Sequence, residues 1–572
     1  LNLKKKYNST RVSNRSVFEA AHGIDMGMTK TGTDIELKRT ARTQRPIEWL
    51  LWITAVIFIV LGICGIVGTW SFDPSKRLII EHLIYSSDYF LLNIGFLLLF
   101  LALYFLLELK KPKFYERINY QIMIPLVLTI IGICGFLWVM AVVSVPSTDS
   151  ARLYNTAASL ADGDPSIFKD SSYQYYFTLH PYQLGAVALL QVILTLFPDA
   201  SYLGPQIVNV LALIISYAGL YAIIYRLSHH DKRVLFLTVI LSLFSLQPIF
   251  FCTFVYGNLC SFACSIWAVY SLIRWLNDGK GIRLSLILLS FAVLFKPNAW
   301  IAAIAVAIIL LCVMLKRKQW KVIVPLVLCI AMPWSLQHGV QYYYEQISGV
   351  SFGSGLSSKV WLAIGMNNSS RAPGWYSEIP AFTEGQTEQN ATVEETESAA
   401  DVIISERLSL FLKDPVYALK FYAQKITSEW EEPTYECFWL SEVRKHGAEL
   451  PSTAYEIYYG NTNAFLREWM DLSSDACYLF SAIGMAALSL KMRRKRKLKQ
   501  LDDTALTDSL SWSILPMIVL GGFLYHTIFE AKSQYLLIYY LYLLPIAAYG
   551  ISVLAQSFVS WVNRLETRNL NK

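Results

Sequence analysis

The chain has 572 residues, a mean hydropathy of +0.41 and a formal net charge of +7. Only 16% of its residues are charged and 55% are hydrophobic, where a soluble domain carries roughly 25% charged residues. That deficit excludes an ordinary soluble enzyme and a disordered chain. Nucleic acid is excluded as a partner, because the Lys and Arg residues fall in short clusters beside apolar runs and form no basic domain face.

Residues 1–46 are polar and rich in Thr, Lys and Arg. Lys4, Lys5 and Lys6 precede no apolar stretch before about residue 47, so a disordered cytoplasmic segment is expected rather than a cleavable signal. Crossing a bilayer takes about 20 mostly apolar residues. Twelve runs are read as spans: 47–70, 89–109, 120–145, 204–226, 234–254, 258–276, 284–295, 299–315, 322–337, 474–490, 512–529 and 535–556. A short loop holding Asp73 and Asp88 joins the first two, and 47–119 reads as an added N-terminal helix pair. The expected fold is all-α and polytopic, with about 12 transmembrane helices and further interfacial helices.

Two large segments, 146–203 and 338–473, interrupt the spans. The basic clusters Lys110–Lys113, Arg226–Arg233, Lys280–Arg283, Lys316–Lys321 and Lys491–Lys499 all fall on the opposite side. The positive-inside rule therefore places both termini in the cytoplasm and both large segments outside. The apolar stretch 183–197 is read as a helix lying on the outer face, because counting it as a span inverts every later cluster. The core is expected over 120–337, an extracytoplasmic segment over 338–473, and the last spans and tail over 474–572. The acidic stretch 383–400 reads as a mobile loop. The nine cysteines lie mostly in apolar runs, which suits packing rather than a metal site.

The ionisable residues near spans gather at their outer ends, and the spans themselves contain almost none. This favours a site at the outer membrane surface over a transporter's midplane site. Asp149 follows the third span. A carboxylate there suits a general base for an acceptor hydroxyl, with a helix cap as the structural alternative. Arg152 and Tyr154 follow it. His180 suits a phosphate or a sugar hydroxyl, against a plain solvated histidine. Lys296 and Lys532 suit a lipid phosphate, against lysines snorkelling to the interface, and Glu530 pairs with Lys532 in the structural reading. The loop WLAIGMNNSSRAPGWY carries Asn367, Arg371 and Trp375, amides and aromatics that suit a sugar.

These segments, in this order, resemble bacterial polytopic glycosyltransferases of the GT-C superfamily, in the protein-mannosyltransferase-like branch and its Gram-positive members in particular. The resemblance covers about residues 120–556. It rests on Asp149 after a span, HPYQLG, FKPNAW, GMNN with PGWY, and FEAKSQYLL before the last span. It implies a polyprenyl-phosphate sugar donor at the outer face of the plasma membrane. It implies a cell-envelope acceptor: a polysaccharide, teichoic acid, glycolipid or protein. Asp149 is then the catalytic base. Arg152, Tyr154, His180, Lys296, Asn367, Arg371, Trp375, Glu530 and Lys532 bind substrate, and no cofactor or essential metal is expected. The sequence departs from the pattern at Gln206 and Gln534, where many relatives carry Arg, and at Ser150, where a second acid is common. Two alternatives stay open: a flippase for a lipid-linked saccharide, and a non-catalytic assembly protein.

Overall fold

In the computed structural model, residues 26–73, 81–142, 144–198, 201–377, 379, 391–442, 451–498 and 503–570 are described. The apolar runs become helices because a backbone in lipid must satisfy its N–H and C=O groups within the segment. α1 (Met26–Val67) leads into a hairpin of β1 (Gly68–Phe72) and β2 (Leu83–Ser87), then α2 (Phe90–Lys110) and α3 (Tyr120–Val142). The first large segment folds into α4 (Thr148–Ala161), α5 (Ser171–Leu179) and α6 (Leu184–Leu196). α7 (Leu203–Leu227), α8 (Lys232–Phe244), α9 (Gln247–Phe250), α10 (Asn258–Asp278), α11 (Ile282–Phe295), α12 (Trp300–Arg317) and α13 (Ile323–Ser348) follow. The second large segment holds α14 (Ser358–Met366), α15 (Val393–Lys413), α16 (Pro415–Trp430), α17 (Cys437–Glu442) and α18 (Ser452–Tyr459). α19 (Asn461–Lys497), α20 (Asp503–Ile528) and α21 (Leu537–Leu570) complete the described chain.

Ten of these helices are long and apolar enough to cross a membrane, or twelve if each of two bent helix pairs counts as one span. One bent pair is α8 with α9. The other is α5 with α6, which meet at 96° around His180 and Pro181. The protein is thus an all-α polytopic membrane protein by length and composition. Its most buried span is α21. Gly484 on α19 and Gly550 on α21 let these two helices touch backbone to backbone: a Cβ on Gly550 would lie 2.0 Å from the Phe480 carbonyl oxygen. Small residues at such crossings replace the hydrophobic drive that lipid does not supply. By contrast α2 turns Leu91, Leu92, Leu98, Leu99 and Leu103 outward, as a lipid-facing helix does.

Two expectations change. The segment 1–46 is helical from Met26 on, continuing through Pro46 into the apolar run; residues 1–25 lie outside the described residues. The acidic stretch 383–400 is not a loop throughout. α15 starts at Val393, where Thr392 accepts from the Glu395 N–H (3.1 Å) and Glu395 accepts from the Thr392 N–H (2.8 Å). This capping box turns acidic sequence into a helix start. Residues 380–390 lie outside the described residues. Lastly, and without altering an expectation, the N-terminal pair packs into the rest of the bundle. α1 packs along α19 and α20, and the β1–β2 hairpin docks on the end of α16: the Trp70 N–H (3.0 Å) and Thr69 hydroxyl (2.8 Å) both donate to the Glu431 carbonyl.

At the end of the bundle away from that hairpin, ion pairs tie the helix ends together. Arg496 forks onto Glu48 at 2.9 and 2.7 Å, and Arg317 meets Asp503 at 2.9 Å. Arg226 meets Asp278 at 2.7 Å. The predicted basic clusters therefore share one end, and the two large segments share the other.

Candidate functional site

At the hairpin end the bundle encloses a cavity of about 890 Å³. Its walls come from the start of α4, the α5–α6 break, the α11–α12 turn, α14, loop 371–376, α17 and the α20–α21 turn. Asp149, Arg152, His180, Lys296, Arg371, Glu530 and Lys532 all line it, although they are scattered over almost 400 residues of sequence.

Asp149 owes its freedom to its neighbours. Ser147, not Asp149, sits at the helix cap: its N–H donates to Ser150 Oγ (3.2 Å), whose hydroxyl donates back to the Ser147 carbonyl (2.8 Å). Ser150 thus closes the first turn. Thr148 enters the helix at φ +51°, a left-handed conformation unusual for a residue with a side chain. The Asp149 carboxylate is left exposed to the cavity in the first helical turn, where the amide dipoles favour a negative charge. The Tyr256 hydroxyl donates to its Oδ2 at 3.4 Å, and Gln183 Nε2 donates to that hydroxyl at 2.6 Å.

Lys296 is the counterpart. It terminates α11 in extended conformation, only 6% exposed, with Nζ 4.0 Å from the Tyr256 ring centroid and 5.6 Å from that of Tyr535. Among the described residues its ammonium makes no hydrogen bond and no ion pair. Burial pushes it down to about 7, against the pull of Asp149 and Glu530. Burial likewise pushes the Glu530 carboxyl up to about 7, with Lys532 opposing; its Oε2 accepts from the Tyr535 hydroxyl at 3.3 Å. Arg152 lies 5.1 Å from the Tyr176 ring centroid. His180 is buried between the Tyr176 and Trp361 rings, with Nδ1 3.2 Å from the Tyr182 hydroxyl.

Arg371 and Lys532 face one carboxylate, Glu81, from the segment just before β2. Lys532 Nζ lies 2.7 Å from Oε1 and Arg371 Nε 3.0 Å from Oε2. Burial alone would lower the Lys532 ammonium; Glu81, Glu436 and Glu530 outweigh it and hold it above the ordinary lysine value. Behind the wall, Ser533 Oγ donates to Glu432 (2.8 Å) and the Gln534 N–H to Glu436 (3.2 Å), fixing the EAKSQY loop.

Three expected substrate contacts do not reach the cavity. Tyr154 is half-buried against the core, on the far side of α4 from Asp149 and Arg152. Asn367 ends α14 and closes the loop: its carbonyl accepts from the Gly374 N–H (2.9 Å) and its side chain donates to Ser377 (3.4 Å). Trp375 is fully buried, donating to Ser428 Oγ at 3.1 Å. Aromatic and amide content marked that loop, but the same chemistry serves packing. Gln206 is buried away from the cavity, donating to the Ser144 (2.7 Å) and Thr253 (3.2 Å) carbonyls; Gln534 lines the cavity. Tyr376, the last residue of the WLAIGMNNSSRAPGWY loop, lines it; Glu81, Tyr176, Tyr256, Trp439 and Tyr535 line it without having been singled out. Interfacial tyrosines are too common in membrane proteins to signal a site.

Two further features lie outside the cavity. An apolar groove of about 520 Å³ runs between α6 and α13, lined by Ala188, Val192, Leu196, Leu336 and Val340; Gln337, next to Leu336, lines the cavity itself. Beneath the hairpin lies an acidic cluster of half-buried Asp88 and buried Glu431, Asp471 and Asp475. Both Asp475 carboxylate oxygens lack a hydrogen-bond partner there. This corrects the expectation that the spans are almost free of charge: Asp475 lies within the run 474–490 itself and Asp471 in the turn of α19 just before it, and both are buried. Among the described residues no group of three His, Cys, Asp or Glu side chains is placed to hold a metal ion. No protein-family model and no curated protein matches the chain.

Proposed function

We propose that the chain is a membrane glycosyltransferase that moves a sugar from a polyprenyl-phosphate donor to an acceptor hydroxyl of the cell envelope, outside the plasma membrane. The observation that carries this reading is that one cavity holds both the accessible carboxylate of Asp149 and the buried ammonium of Lys296, each against Tyr256. Such a transfer needs those two functions. The leaving group is a phosphate and needs no strong acid. What remains is to take the proton from the acceptor hydroxyl and to neutralise the phosphate oxygens as the glycosidic bond breaks.

Asp149 Oδ1 or Oδ2 accepts the acceptor's proton. The hydroxyl oxygen then attacks the anomeric carbon, the C–O bond to phosphate breaks, and its electron pair leaves on the phosphate held by Lys296 and Arg152. In-line attack inverts the anomeric centre. The rings of Tyr176, Tyr256, Trp361 and Trp439 offer faces for the sugar. The α6–α13 groove suits the polyprenyl tail, because it is apolar and is lined by α13, the helix that also gives Gln337 to the cavity. The basic clusters at the opposite end support the outward orientation of the cavity.

The test is sugar transfer in liposomes holding the purified protein, with undecaprenyl-phosphate sugars labelled in the sugar and an envelope extract as acceptor. Transfer by wild type and loss in Asp149→Asn supports the reading. Full activity in Asp149→Asn refutes the base. The flippase reading draws on one observation, the buried carboxyls of α19, since intramembrane acids often mark ion or proton pathways. Movement of labelled lipid between leaflets without transfer would select it.

A further inference from the structure

Arg371 and Lys532 are two cations of the same cavity, yet they are not free for a ligand in the way Lys296 is. Glu81 stands between them, one carboxylate oxygen toward each: Oε1 at 2.7 Å from Lys532 Nζ and Oε2 at 3.0 Å from Arg371 Nε. Two oxygens of one anion shared by a guanidinium and an ammonium is also how a phosphate group is held. All three side chains line the cavity, so the pair is reachable from the space where a ligand enters and is not walled into the core.

The pairing is incomplete. The Arg371 Nε–H is in contact with Glu81 but makes no aligned hydrogen bond, while Nη1 donates to the Tyr376 carbonyl at 3.0 Å. The next carboxylate to Lys532, Glu436, is 3.9 Å away and beyond hydrogen-bond reach, so the ammonium keeps donors to spare. Meanwhile the backbone that carries Glu81 is fixed. The Leu83 N–H donates to the Arg371 carbonyl at 3.2 Å, and the Asp73 N–H to the His82 carbonyl at 2.8 Å. Displacing the Glu81 carboxylate therefore breaks none of the backbone hydrogen bonds that dock the hairpin.

We propose that Arg371 and Lys532 form a binding subsite for a phosphate oxyanion, and that Glu81 is its resident anion, displaced when the phosphate binds. The helix pair that precedes the resembling region thus supplies a built-in competitor to the site. This concerns binding alone and does not depend on sugar transfer. The oxyanion is either the phosphate of a lipid-linked ligand or that of a phosphate-bearing acceptor, and both present the same chemistry to the two cations.

The experiment is isothermal titration of the full chain in nanodiscs with farnesyl phosphate, and separately with glycerol 3-phosphate, for wild type, Glu81→Gln and Glu81→Gln/Lys532→Met. Glu81→Gln is expected to bind a phosphate probe about tenfold tighter or more, the worth of a charge-assisted bond no longer spent on Glu81. The added Lys532→Met is expected to abolish that gain. A gain for farnesyl phosphate alone assigns the subsite to the lipid ligand; a gain for both probes assigns it to the phosphate group as such, and a gain for glycerol 3-phosphate alone to the acceptor. Unchanged or weaker binding of both probes in Glu81→Gln overturns the proposal and makes Glu81 a structural tether. A gain that survives Lys532→Met overturns it as well, because the phosphate then binds elsewhere. Should Glu81→Gln fail to fold, Glu81→Asp carries the test. It keeps the charge but withdraws the carboxylate by one methylene, so a smaller gain is expected and none refutes the proposal. Sugar transfer can fail in all variants while this gain persists, which separates the two readings.

Discussion

Lys296 gives the sharpest test of the site's electrostatics. The ammonium is buried against the Tyr256 and Tyr535 rings, and burial brings its proton loss to about 7, below the usual lysine value, although Asp149 and Glu530 pull the other way. If its charge holds the donor phosphate, kcat/KM for the donor must follow the protonated fraction of the free protein. That fraction falls about tenfold per pH unit above the midpoint, so kcat/KM at pH 9 should be roughly a hundredth of its plateau. A bound phosphate restores a partner, raises the ammonium's proton affinity, and moves the corresponding limb of kcat to higher pH. Glu530 titrates in the same range in the same cavity, so the midpoint belongs to the cluster. Lys296→Arg keeps its charge throughout and should flatten the profile, while Lys296→Met should lose the donor at every pH. Stability should move the other way. The unfolded lysine keeps its proton up to about 10 and the folded one only to about 7. The cost of burying the charge is therefore full below 7 and fades between the two values. Lys296→Met should raise the melting temperature at pH 6 and change it little at pH 10. The assay is liposome sugar transfer from pH 6 to 9.5 beside thermal melts of the same preparations. A kcat/KM that stays flat from pH 7 to 9, with Lys296→Met as active as wild type, would refute the assignment.

Asp149→Asn should cut kcat by about 10²–10⁴-fold, the usual worth of a positioned general base. The melting temperature should stay within a degree or two, since the side chain is exposed and makes one long hydrogen bond; unchanged kcat refutes the base. Gln206→Leu should destabilise by about 1–3 kcal/mol, because two buried carbonyls lose their donor, while donor KM stays as it was; a changed KM would mean that Gln206 reaches the substrate. Gly550→Val should cost about 1–3 kcal/mol or prevent assembly, because its Cβ falls on the Phe480 carbonyl; a wild-type melting curve contradicts the close crossing. Trp375→Phe should keep kcat and KM while lowering stability, as expected of a core residue whose indole N–H meets Ser428; a selective rise in KM would return Trp375 to the site.

Sequence reading reached the site through charges and missed it through aromatics. In a membrane protein a charged residue at a helix end must be held by something, so Asp149, Lys296, Glu530 and Lys532 stood out. All four line the cavity. Tyr256 and Tyr535, which form the faces around Lys296, carry no comparable signal. Trp375 and Asn367 show the converse error: a loop rich in such residues also needs them to close itself. The spans were legible because lipid demands unbroken apolar helices. The β1–β2 hairpin was not, since its short strands take their order from docking on α16 and Arg371, contacts more than 280 residues distant in the chain.

That hairpin also changes how the N-terminal pair should be understood. Read along the sequence, helices before the resembling region are an addition, dispensable to whatever happens at Asp149. In the folded chain α1 lies along α19, the hairpin rests on the end of α16, and Glu81 faces two of the cavity's four cations. Removing the pair would therefore expose the buried flank of α19 and leave Arg371 and Lys532 without their shared carboxylate. A change confined to Glu81 touches only the second of these. Loss of stability in a truncated chain and altered anion binding in Glu81→Gln are thus separable consequences of one loop. The second is the one that bears on function.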